Sequence, residues 1–327
     1  MKYSLLLAAL TLFFATGCQS DGLTEADEDA MFQTHHDFAF AYYAMGPEGY
    51  DRCQSQIYKA FEFKPNHVEL RVLLGQVLVR KGTLEDIASA ELVYESLLRD
   101  DDPRATLGLA TCKERMGIFY DEAGRAIADG TRFTEARDPM ARAKELTKRA
   151  QELWEEGEEY YLEALSEKSD DRSVLNGLQR ITALQGRTED SLAYANRLLE
   201  VCTGELEFWQ AQMQRPDLSA RDEDSIRVDL RELEKLAKRT HFHAADLEVE
   251  LGNDMAALDH LGAVARLDPN MPEVHSRRAQ LFKRVGDYSA ALAEIEEFLR
   301  LSQLPFEHPD VNAAYTLKQE CEEALAG

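Results

Sequence analysis

Residues 273–301 read EVHSRRAQLFKRVGDYSAALAEIEEFLRL. Gly286 sits near the middle of this stretch, with Ala279 seven residues before it and Ala291 five after it. The preceding segment keeps the same offsets: Gly252 lies 34 residues upstream, flanked by Ala245 and Ala257, and Leu267-Asp268-Pro269-Asn270 closes it. A 34-residue period with small residues at fixed offsets, a glycine turn and a terminal Pro predicts a repeated helix–turn–helix unit. Two antiparallel helices leave an apolar face that only stacked neighbours can bury. Small residues at the crossings let helix backbones approach closely, and the turn glycines are expected at positive φ.

The same period reaches the front of the chain. Tyr58-Lys59-Ala60-Phe61-Glu62-Phe63-Lys64-Pro65-Asn66 reads as the end of one unit, with Leu74-Gly75 and Gly82 beginning the next. Pro65 to Pro269 and Gly82 to Gly286 each span 204 residues, six periods of 34. Small residues at Ala279 and Ala291, the turn Gly286-Asp287-Tyr288 and the aromatic Phe298 together resemble the tetratricopeptide repeat (TPR). The resemblance implies an all-α fold, an α-α superhelix of stacked antiparallel helix pairs. Its clearest units span about 34–67, 68–102, 238–271 and 272–305, and a cap helix follows over 310–325. In that family the first helix of each pair lines a concave groove. By register the groove here holds Phe38, Tyr42, Val72 and Gln76, with His35 and Glu69 beside them, then His243, Asp246, Arg277, Gln280 and Arg284. Arg284 is also placed to pair with Glu250 across adjacent units.

The middle, 103–237, departs from the pattern. Gly82 to Gly117 is 35 residues, Gly117 to Gly186 is 69 and Gly186 to Gly252 is 66, so insertions and deletions cancel. Gln179 and Ser191 replace the small apolar residues of the Gly186 unit. Ala143, Leu146, Ala150, Leu153, Gly157, Tyr160 and Ala164 step by three and four, as one enlarged helix does. The alternative makes Gly157 the turn of a squeezed repeat. One elongated domain is expected over 31–327. Behind Pro305 and Pro309, the cap helix should run through Tyr315, Leu317, Cys321 and Leu325 under a polar outer face.

Residues 1–17 read as a leader: Lys2, an apolar run Leu5–Phe14 too short to span a bilayer, then Ala15-Thr16-Gly17 ahead of Cys18. This end resembles the lipobox of bacterial lipoproteins, although Ala15 stands where Leu is commoner. The resemblance implies cleavage before Cys18 and its acylation; an ordinary secretory signal is the alternative. Gln19 after the cysteine fits outer-membrane sorting with the chain facing the periplasm. Residues 18–30 read as an acidic tether holding the array near the membrane.

Without the leader the chain carries 36 basic and 61 acidic residues, a net charge of −25. That acidity argues against nucleic acid and against lying flat on anionic lipid. Cys53, Cys112, Cys202 and Cys321 form no CxxC pair, so a zinc site of that type is not expected, and buried thiols fit better than bridges. No HExxH, P-loop or GxSxG is present, and neither a cofactor nor a metal is expected. His243, Asp246 and Glu250 can share a helix face, the one candidate acid–base or metal cluster; His35-His36 offers less. The acidic runs Asp100-Asp101-Asp102 and Ser169-Asp170-Asp171 read as helix ends. The composite expectation is a non-enzymatic, lipid-anchored envelope scaffold or adaptor that binds protein partners. The alternatives are a self-associating structural lipoprotein, or an enzyme or metal protein built on His243, Asp246 and Glu250.

Overall fold

The computed structural model describes residues 24–326, so the leader and Cys18 lie outside the described residues. Among those residues there are helices and connections but no strand, an all-α fold of helical hairpins. No helix among them is long and apolar enough to cross a membrane. They form two compact units, one ending at Ala164 and the other beginning at Leu165.

The first unit opens with α1 (Glu25–Ala44), a 3-10 turn (Gly46–Gly49) and α2 (Tyr50–Phe61). α3 (Val68–Lys81), α4 (Leu84–Arg99), α5 (Arg104–Ala128) and most of α6 (Pro139–Glu167) follow. The segment expected as a tether is helical from Glu25 onward. Thr24 and Asp27 close a reciprocal capping box, and Glu25, Asp27 and Glu28 favour the positive end of the helix dipole. α1 packs on α2, α3 on α4, and α4 on α5. The α3–α4–α5 joint is made by one ring: Tyr94, 4% exposed, fills space where a Cβ on Gly75 or Gly108 would lie 2.5 or 2.3 Å from it. Gly117, which continues the glycine spacing, is not a turn. It lies inside α5 and makes room for Trp154 of α6, and the turn comes at Gly130 (φ 70°). Trp154 Nε1 donates to the Glu114 carbonyl at 3.3 Å, and Tyr161 donates to the buried Glu114 carboxylate at 2.6 Å. Gly157 lies buried within α6 rather than at a break.

The second unit holds α7 (Arg172–Leu184), α8 (Thr188–Met213), α9 (Ala220–Glu250) and α10 (Asp254–Leu267). It ends with α11 (Pro272–Arg284), α12 (Tyr288–Leu301) and α13 (Pro309–Ala326). α7 pairs with α8, α9 with α10, and α11 with α12. The hairpin glycines Gly186, Gly252 and Gly286 take φ of 73°, 81° and 84°, as does Gly82 of the first unit at 78°. Ala245, Ala257, Ala279 and Ala291 are all 2% exposed or less, so small buried side chains stand at the expected crossings. In the Gly186 hairpin a polar contact replaces them: the buried Ser191 hydroxyl donates to the Gln179 carbonyl at 2.6 Å.

The disturbed register has a simple origin. α8 has 26 residues and α9 has 31, against 13 and 14 for α11 and α12. The extra length lies at the end of α8 and the start of α9, which the 214–219 connection joins; Phe208 there is 53% exposed, while Leu206 and Trp209 pack against the cluster that holds Leu233 and Ala237 of α9. The last helix buries Val311, Ala314 and Cys321. Tyr315 and Leu325, expected on that face, are 45% and 55% exposed. The three-four spacing that starts from Val311 wins because Ala314 and Cys321 fit against Ile295 and Phe298 of α12. Asp171 caps α7 through the Ser173 and Val174 amides, and Asp102 accepts from the Arg104 amide, so both acidic runs begin the next helix.

Candidate functional site

The expected partner face divides between the two units. In the first, α1 and its C-terminal cap present Met31, Phe38 and Met45 at intervals of seven, 41%, 51% and 55% exposed. Phe38 stacks on Tyr42 with centroids 6.3 Å apart, and the Arg52 guanidinium lies 5.8 Å from the Tyr42 ring centre. On α3, Gln76 is exposed, but Val72 is only 6% exposed and belongs to the core. The run Leu70 to Leu78 is apolar almost all round, so the step from Glu69 to Gln76 brings Val72 inward. His35 is engaged by Gln56 at 2.7 Å. Met31 and Met45 were not singled out in the sequence, though their heptad spacing from Phe38 was the available signal.

In the second unit, α9 carries His243 and Asp246, and α11 carries Arg277, Gln280 and Arg284. Arg277 ion-pairs with Asp246 across adjacent first helices and lies 5.3 Å from the centre of the Phe242 ring. Arg284 pairs with Asp254 at 2.6 Å rather than with Glu250, which accepts from Thr188 at 3.2 Å. Gln280 lines a groove of about 350 Å³ between α11 and α13, with Ser276, Asp310, Thr316 and Glu320.

These contacts dissolve the cluster read at His243, Asp246 and Glu250. His243 Nε2 lies 3.0 Å from Ser191 Oγ, whose proton goes to the Gln179 carbonyl, so the imidazole is the donor and cannot act as a base there. Burial holds its pKa below the usual histidine value. Each of the three groups serves a different neighbour. The thiols of Cys53, Cys112, Cys202 and Cys321 are free and buried. Burial pushes the Cys53 and Cys202 thiols up to about 11, which favours the protonated thiol over the reactive thiolate.

No protein-family model and no curated protein matches the sequence. Among solved structures, the chain is similar to YrrB, described as "a TPR protein with an unusual peptide-binding site". The identity is 14%, with 63% of this chain and 89% of that one covered and a TM-score of 0.36. PilF from Pseudomonas aeruginosa gives 11% identity, 91% coverage of both chains and a TM-score of 0.34. Acl4, described as an assembly chaperone of RpL4, gives 18%, 74% and 87%, and 0.38. Superpositions this loose add no argument to the chain's own hairpins. Those hairpins, with alanines and positive-φ glycines at the 34-residue offsets, define a TPR-like α-helical repeat fold.

Proposed function

We propose that the protein is a non-enzymatic scaffold that binds protein partners through the first helices of its hairpins. The observation that carries this is the α1 face, where Met31, Phe38 and Met45 stand in solvent beside the Phe38–Tyr42 stack and Arg52. A helix whose inner face is already satisfied by α2 has no folding reason to keep such a second apolar stripe, and exposed apolar patches of this kind mark interaction sites. The stripe fits an apolar helix or extended segment of another protein, with arginine and glutamine at its margin for orientation. The lipobox reading adds a lipid anchor at Cys18, a place in the cell envelope on the outer membrane and envelope proteins as partners.

The test is crosslinking and affinity capture from native envelopes with wild type and with Phe38→Ala plus Tyr42→Ala. A stoichiometric partner retained by wild type and lost by the variant supports the scaffold. Capture of this chain alone, equally in both, moves the reading to a self-associating structural protein. Anchoring is tested separately: Cys18→Ala should leave the membrane fraction, and a variant that stays there contradicts the anchor.

A further inference from the structure

We infer that His36, His67 and Glu69 form a binding site for a divalent first-row metal ion of the zinc type. One ring nitrogen from each histidine and one Glu69 oxygen lie within 4.8 Å of one another. His36 comes from the middle of α1, His67 is the residue that begins α3, and Glu69 lies in the first turn of α3. Nothing in local spacing announces the site, because folding brings its ligands together across 31 residues of chain.

Three features distinguish this group from a chance meeting of polar side chains. The first is the arrangement of protons. His36 Nδ1 lies 3.1 Å from Asp37 Oδ1, and Asp37 itself accepts from Gln33 at 2.7 Å. In the neutral ring an Nδ1–H that donates to this carboxylate leaves Nε2 bare, and Nε2 faces Glu69 Oε2 at 3.6 Å. Two lone-pair acceptors then face each other, an arrangement that a cation between them relieves. A carboxylate on the outer nitrogen of a metal-binding histidine is the usual way the ring is oriented and its basicity raised. The second feature is His67, whose Nδ1 is buried with no hydrogen-bond partner. Buried polar atoms are ordinarily paired. The third is the apolar collar: the Phe32 ring lies 4.9 Å from His67, and the Phe40 ring 4.8 Å from His36. The neighbouring cation Lys64 is paired with Asp29 at 2.8 Å and rests over the Phe32 ring, 4.5 Å from its centre.

Two imidazoles and one carboxylate suit zinc and its neighbours, not magnesium or calcium, which prefer all-oxygen shells. Tetrahedral zinc with bonds of about 2.0–2.1 Å sets its donors about 3.4 Å apart. The His36–Glu69 spacing already meets that figure, and small side-chain rotations bring in His67. The carboxylate side is open, with Glu69 63% exposed, so the fourth position falls to water. Bound metal would staple α1 of the first hairpin to the start of α3 of the second.

The experiment uses the untagged full chain and Zn²⁺ in competition with a chromophoric chelator, with Mg²⁺ as the hard-cation comparison. The expected result is one Zn²⁺ per chain, no competition by Mg²⁺ and a rise in Tm on adding zinc. His36→Gln, His67→Gln and Glu69→Gln should each weaken binding at least ~10-fold and abolish the rise. His241→Gln, at the separate histidine pair of the second unit, should leave both unchanged. Co²⁺ added to wild type should give the d–d absorption of a low-coordinate nitrogen–oxygen site, a readout that does not depend on any variant folding. Absence of stoichiometric binding and of that absorption overturns the site. So does binding that survives His36→Gln and His67→Gln but is lost in His241→Gln.

Discussion

The joint between α3, α4 and α5 and the joints between α9, α10, α11 and α12 bring helices together by opposite means. At the front, Gly75 and Gly108 surrender their side chains so that Tyr94 can fill both recesses. At the back, the buried Ala245 and Ala257 pack among Leu258, Leu261 and Leu281, and Ala279 and Ala291 among Ile295 and Phe298, with no single ring filling the joint. One large ring against two glycines concentrates the packing energy in a few atoms, whereas buried alanines among several aliphatic side chains spread it along the helices. The front is therefore the more sensitive to loss of a single side chain, and the back to gain of one.

The largest effect is expected from Tyr94→Ala, which empties the front joint and should cost about 3–5 kcal/mol, the range for removing a buried aromatic ring. Gly108→Ala in wild type should cost about 1–3 kcal/mol, since the new Cβ would meet the ring at 2.3 Å and the ring has nowhere to go. On the Tyr94→Ala background the sign should reverse, because an alanine inside a helix is favoured over glycine by about 1 kcal/mol. A double-mutant cycle by urea unfolding measures this coupling. Additive effects would show that the two glycines do not exist for the ring. At the back, Ala257→Leu should cost about 1–3 kcal/mol by overpacking, with no companion substitution of similar power to relieve it.

The contrast also explains what the sequence could and could not disclose. Buried alanines with glycine turns leave a period, so the hairpins around Gly252 and Gly286 were legible from spacing alone. Gly117 misled the register because a helical glycine that admits Trp154 looks the same in sequence as a turn glycine. The extra length of α8 and α9 hid the middle hairpins, since two long helices fill the 66 residues between Gly186 and Gly252 where two ordinary units would place four. For the partner face, register placed Phe38, Gln76, Arg277, Gln280 and Arg284 on exposed parts of first helices, while Tyr42 is half-buried against the core. It failed at Val72, where an apolar run offers no polar side to mark the outside. It failed again at His243, whose partner Ser191 lies 52 residues away. The meeting of His36 with His67 depends on a contact between hairpins, which no helical period encodes.

The smallest predicted effect separates the two regions by pH. His241 and His260 face each other between α9 and α10 with Nδ1 atoms 3.0 Å apart. Burial first, then the neighbouring His260 and Arg266, push the His241 pKa from 6.5 down to about 4, and burial lowers His260 as well. The unfolded chain therefore takes up protons on this pair before the folded chain does, and stability rises with pH across that interval. The contribution is fully present above pH 6.5 and is lost as pH falls towards 4. Because the rings are only partly buried, solvent screening limits the loss to at most about 2 kcal/mol. Urea midpoints measured from pH 7 to 4 should fall less steeply in His241→Gln than in wild type. The front variant Tyr94→Ala should lower the whole curve without changing this slope. Parallel wild-type and His241→Gln curves would assign the acid sensitivity to carboxylate pairs common to both regions, and would remove pH as a way of telling them apart.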